Sequence, residues 1–102
     1  MIVRVSRATA TVDGAKGYRQ HFEQNVMPEL RGIDGFQKAY LLTREHDGIV
    51  DIEVHTMWQS LDAIRAFAGP DLEAAVVEPQ AQAVLSSYDR TVTHFTAIEY
   101  QT

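Results

Sequence analysis

A chain of 102 residues with 45% hydrophobic and 23% charged residues has ordinary globular composition and room for one domain with a modest core. Nine basic residues against fourteen acidic ones give a formal charge of -5, and no Lys/Arg cluster is present to neutralise a run of phosphates, which argues against nucleic acid as a partner. There is no cysteine, hence neither a disulfide framework nor a thiolate metal site, and no apolar run approaches the ~20 residues that span a bilayer. The opening stretch carries Arg4 and Arg7 and lacks a signal-peptide pattern, so a cytoplasmic protein with no membrane partner is the expectation.

The first element is a strand over residues 2–10, rich in β-branched side chains. Asp13 is the expected cap of a helix in which Ala15, Tyr18, Phe22 and Val26 share one face, and Pro28 and Gly32 predict its close near residue 27. The runs FQKAYLLTRE and IVDIEVHTMW read as strands joined by a tight turn at Asp47-Gly48, a pair that tolerates positive φ. Ser60 caps a short helix, LDAIRAFA, whose apolar stripe is Leu61, Ile64, Phe67 and Ala68 and which Gly69-Pro70 ends. A second helical piece is expected over 71–78, ending at Pro79, with a further turn over 80–86 and a closing strand in DRTVTHFTAIEY.

The order β-α-β-β-α-β predicts a ferredoxin-like α+β fold, a four-stranded antiparallel sheet with helices on one face. The other face, to which the alternation assigns Leu41, Thr43, His55, Met57, Thr93 and Phe95, is left for a second copy of the chain, giving a homodimer with sheets face to face.

The runs MWQSLDAIRAFAGPD, AVVEP and YDRTVTHF, with YRQHF in the first helix and GFQKAYLLTRE in the second strand, resemble the antibiotic biosynthesis monooxygenase-like group of the dimeric α+β barrel superfamily over nearly the whole chain. The resemblance implies a pocket between sheet and helices in each protomer, with Trp58 at its end, and a dimer barrel built from the opposite sheet faces. Relatives that oxygenate polycyclic phenols carry an asparagine where this chain has Val54 and a tyrosine where it has Ile64. Haem-degrading relatives use an asparagine in the first strand and a histidine in the second helix region. Neither matches Arg4, Ser6 and Arg7 or the histidine-free stretch 60–86, so no haem is expected.

Trp58 is read as core, as pocket wall, or as both, because a buried indole contributes heavily to packing and its N–H still needs an acceptor. His94 is the candidate base, and a structural histidine is the plainer reading; His21, at the flank of the helix's apolar face, is its candidate acid–base partner. Arg4 either anchors a phenolate or carboxylate or pairs with an acid such as Asp89. Tyr18, Phe22, Ile64 and Phe67 are core residues that also serve as candidate pocket lining. His46 and His55 are expected at the hairpin turn and on the dimer face. Histidine and carboxylate spacing matches no metal motif. The leading expectation is a monooxygenase with no metal and no cofactor, acting on a small aromatic or polyketide-like ligand. The alternatives are a non-catalytic binding or stress-response module, and an isomerase or decarboxylase.

Overall fold

A computed structural model describes residues 1–102. Strand β1 (Ile2–Thr11) runs directly into helix α1 (Val12–His21), which passes through a π-helical turn (Phe22–Val26) into α2 (Met27–Arg31). The hairpin β2 (Phe36–His46) and β3 (Ile49–Trp58) follows, then α3 (Leu61–Ala68), the short α4 (Pro79–Gln82), β4 (Ser87–Tyr88) and β5 (Thr93–Thr96). The sheet order is β2-β3-β1-β4, and β5 also pairs with β1, every pairing being antiparallel. This is the ferredoxin-like arrangement with its last strand in two pieces.

The hairpin turn falls at Asp47 and Gly48, with φ of 53° and 77°, the left-handed pair that matches the twist of the flanking strands. Ser60 caps α3 by accepting a hydrogen bond from the Ala63 N–H at 3.2 Å. The cap of α1 is Thr11, whose Oγ1 accepts from the Gly14 N–H at 3.0 Å; Asp13 lies inside the first turn instead. Nor does the first helix close at residue 27. A proline lacks the N–H of an α-helical bond and crowds the carbonyl four residues back. Just before Pro28 the chain widens to a π turn, with the Met27 N–H donating to the Phe22 carbonyl, and the helix continues to Arg31.

On β3, Val50, Ile52, Val54, Thr56 and Trp58 are buried toward the helices, and the residues between them face the other way. Leu41 and Thr43 lie on this helix side, opposite Val54 and Ile52, and not on the bare face. The cause is a bulge: Phe36 pairs with Trp58 and Lys38 with Met57, so Gln37 is one residue extra and every later side chain of β2 changes face. The bare face carries Val3, Tyr40, Leu42, Met57 and Phe95, with His55 and Thr93 where they were expected.

Residues 71–78 form no helix. They run as an irregular strap whose backbone bonds go elsewhere: the Ala75 N–H donates to the Arg90 carbonyl and the Val92 N–H to the Glu73 carbonyl, with a bridge between Ala74 and Thr91. The closing strand yields the residues for this. Ala8 pairs with Tyr88, the Asp89 N–H still donates to the Arg7 carbonyl, and Val5 pairs with Thr93, so Arg90–Val92 loops away from β1 and meets the strap.

Candidate functional site

A cavity lies between the sheet, the first helix and the strap, with an enclosed volume of about 60 Å³, room for a few water molecules, and open space at its mouth. A ligand of the usual size for a protein pocket therefore also occupies that mouth. Strand alternation on β1 sends Arg4, Ser6 and Ala8 to it, and on β3 Ile52, Val54 and Thr56. Tyr18, His21 and Phe22 reach it from the first helix, Phe67 from α3, and Ala75 to Glu78 from the strap. Fifteen of its 22 lining residues are hydrophobic, so the few polar groups stand out against an apolar wall.

Arg4 is the most unusual of them, only 4% exposed and without a salt bridge to Asp89 or any other acid. Its Nη1 donates to the Leu72 carbonyl at 2.6 Å, its Nη2 to the Ala74 carbonyl at 2.7 Å, and Nη1 also lies 3.2 Å from His94 Nε2. Burial lowers its pKa to about 10, which still leaves it cationic at neutral pH. The Phe67 ring is 6.0 Å from its Cζ.

His21 is 7% exposed, and its Nδ1 lies 3.1 Å from the Asn25 amide nitrogen one helical turn on. With the amide nitrogen donating, the ring is the Nε2–H tautomer. With the amide turned, its oxygen accepts from Nδ1–H and Nε2 carries the lone pair. Nε2 has no partner within the chain and is not sealed off. Tyr18 stands 6.4 Å from His21 and 6.3 Å from Phe22 between ring centroids, and burial raises its phenol to about 12, so it meets a ligand as a neutral O–H.

Of the eight residues singled out in the sequence, Arg4, Tyr18, His21, Phe22 and Phe67 line the cavity, while Trp58, Ile64 and His94 do not. Trp58 is fully buried behind the wall, its Nε1–H donating at 2.8 Å to Thr56 Oγ1 and its ring set 6.2 Å from Phe67 and 5.3 Å from Phe36. Trp58 and His94 do share one face of the sheet, through Ile2 and Arg4 between them. His94 accepts from Arg4, and burial and that cation lower its pKa, partly offset by Glu73. Ile64 is core, 0% exposed. Thr56 and Asn25 are not among the residues that the sequence singles out, and Ser6 enters there only against the haem-degrading relatives. Each stands at a regular interval from a candidate residue: two from Trp58, four from His21 and two from Arg4.

No protein-family model and no curated protein matches the chain. Solved structures do. The chain is similar to SnoaB, a cofactor-independent oxygenase from Streptomyces nogalater in its N63A mutant, at 26% identity and a TM-score of 0.66, covering 97% of this chain and 94% of that one. It is also similar to the Streptomyces coelicolor monooxygenase of ActVA-Orf6 in complex with nanaomycin D (14% identity, TM-score 0.64, 99% and 90% covered). A third neighbour is a candidate antibiotic biosynthesis monooxygenase from Bacillus cereus (12%, 0.65, 98% and 97%). The family resemblance carried by the sequence motifs is thus met in three dimensions along the full chain: the structural neighbours are antibiotic biosynthesis monooxygenase-type proteins. No helix is long and apolar enough to cross a membrane.

Proposed function

We propose that the protein is a cofactor-independent monooxygenase acting on an aromatic or polyketide-like small molecule. The observation that carries this reading is the convergence of His21 and Arg4 on one largely apolar cavity, in a fold shared with oxygenases. Such chemistry needs a weakly acidic C–H, a base to remove its proton, a cation to favour the resulting anion, and a dry wall.

In the proposed reaction the Asn25 amide oxygen accepts from His21 Nδ1–H, so that Nε2 takes a proton from a benzylic CH₂ flanked by aromatic rings, and the anion passes one electron to O₂. Radical and superoxide join in a C–O bond, His21-H⁺ returns the proton to the peroxide, and loss of water leaves a carbonyl. Overall CH₂ and O₂ give C=O and H₂O, with one oxygen atom in the product. His21, rather than His94, is the proposed base because His21 lines the cavity and its Nε2 has no partner within the chain, whereas His94 lies outside the lining and its Nε2 is held by Arg4. His94 serves here as a positioning residue for the guanidinium.

Oxygen uptake with 1,8-dihydroxyanthrone, followed with quinone absorbance, tests the reading. His21→Ala should lower the rate by about 10²–10⁴-fold. No uptake above the buffer rate, or an undiminished rate in that variant, removes the assignment, and saturable binding without uptake would favour a binding module.

A further inference from the structure

Arg4 has five N–H donors in a fixed planar fork, and three acceptors are accounted for. Nη1 uses both of its hydrogens, on the Leu72 carbonyl and on His94 Nε2, and Nη2 uses one, on the Ala74 carbonyl. That leaves Nε–H and the second hydrogen of Nη2. No side-chain nitrogen or oxygen in the chain is both sealed and unpartnered, so the unbonded Nε opens on space. The guanidinium is 4% exposed, has no acidic partner and lines the cavity.

The geometry points to an aromatic carboxylate as the ligand of this cavity, its two oxygens taken by Nε–H and Nη2–H of Arg4 and its ring system lying among Phe22, Val54 and Phe67. This rests on the small-aromatic reading above and narrows it. A carboxylate offers two coplanar acceptors to the two parallel donors, the arrangement for which Arg is used at planar anions. A lone phenolate oxygen satisfies one donor and leaves the other without an acceptor. A phenol near its ordinary pKa of about 10 must also first lose a proton, whereas a carboxylic acid arrives ionised at neutral pH. The buried cation gains most from a ligand that brings its own full charge, since its attraction for an anion is weakly screened in an apolar wall.

Calorimetric titration of the full chain with 2-naphthoate and with the neutral, isosteric 2-naphthamide tests this without turnover. The wild-type protein should bind naphthoate at least tenfold more tightly than the amide at pH 7.5. Arg4→Met should bring the ratio close to one. Arg4→Lys, which keeps the charge and loses the fork, should fall between. Equal affinity of wild-type protein for the two probes overturns the inference, and that comparison needs no variant, which matters because Arg4 also holds the strap. The two readings fail separately: an anthrone oxidised by a protein indifferent to the carboxylate sinks this one alone, and naphthoate bound by a protein with no oxygen uptake sinks the oxygenase reading alone.

Discussion

Replacing Thr56 by valine isolates what holds the tryptophan behind the cavity wall. The two side chains are nearly isosteric, so packing is kept and one acceptor is lost. Trp58 is 0% exposed and its Nε1–H donates to Thr56 Oγ1 at 2.8 Å, so in the variant that N–H is buried with no partner. An orphaned buried donor costs about 1–3 kcal/mol. Trp58→Phe removes the donor and part of the ring, a partial truncation costing roughly 2 kcal/mol against the ~3–5 of a full one. In that background Thr56→Val has no indole N–H left to orphan and should cost roughly nothing, so the double variant should be about 1–3 kcal/mol more stable than the sum of the singles. Urea unfolding at one fixed protein concentration reads all four proteins, and by heat the Thr56→Val loss corresponds to a fall on the order of 10 °C. A Thr56→Val protein within 0.5 kcal/mol of wild type, or additive singles, would refute the idea that this bond anchors the ring.

The remaining expectations concern His94, Gly35 and the bare face. His94 has its pKa lowered by burial and by Arg4, with Glu73 opposing, so below 6.5 the unfolded chain takes up the proton more readily than the folded one. Stability should therefore drop as pH falls from 6.5 toward the depressed value, and His94→Asn, which keeps an acceptor for Arg4 and does not titrate, should drop less; parallel urea midpoints from pH 7.5 to 5 would contradict this. Gly35 has φ +92, and a Cβ there would sit 2.6 Å from Ala63 Cβ, so Gly35→Ala should cost at least about 2 kcal/mol from strain and clash. Gly48→Ala, at φ +77 with nothing within 4 Å, should lose about 1 kcal/mol, and equal thermal shifts would remove the steric argument. A homodimer through the bare sheet face is proposed from the exposed Tyr40, Leu42 and Phe95, and light scattering should read twice the 11.5 kDa chain mass, falling to one chain for Phe95→Glu; a wild-type monomer at tens of micromolar rejects it.

What was legible in the sequence was what local chemistry decides. The β1, β2 and β3 strands, the Asp47-Gly48 turn and the Ser60-capped helix each follow from side-chain period or turn preference within a few residues. The departures come from tertiary bonds. Leu72, Ala75 and Val76 have helical spacing, yet the carbonyls of Leu72 and Ala74 are taken by Arg4, 68 and 70 residues away, and no local pattern reports that. The bulge at Gln37 leaves the alternation of β2 intact and changes only which face it means. His94 and Trp58 were placed on the correct face by alternation, but a face is not a surface: Thr56 and Phe67 stand between the indole and the hollow, and Arg4 occupies the imidazole.

The position of Arg4 explains why the last strand is broken where it is. An unbroken strand beside β1 would run flat past Ser6 and Arg7, and the segment after α3 would have no edge to pair with. By looping out at Arg90–Val92 the chain offers Arg90 and Val92 to the strap, whose Ala75 to Glu78 line the cavity. The strap's own carbonyls at 72 and 74 would be left turned inward over an apolar space, where unpaired they cost about 1–3 kcal/mol each. Arg4 meets both. The same cation that closes the roof is thereby drawn out of water with two N–H donors unused, so the requirement that shaped the fold here is also what the proposed preference for an anion rests on.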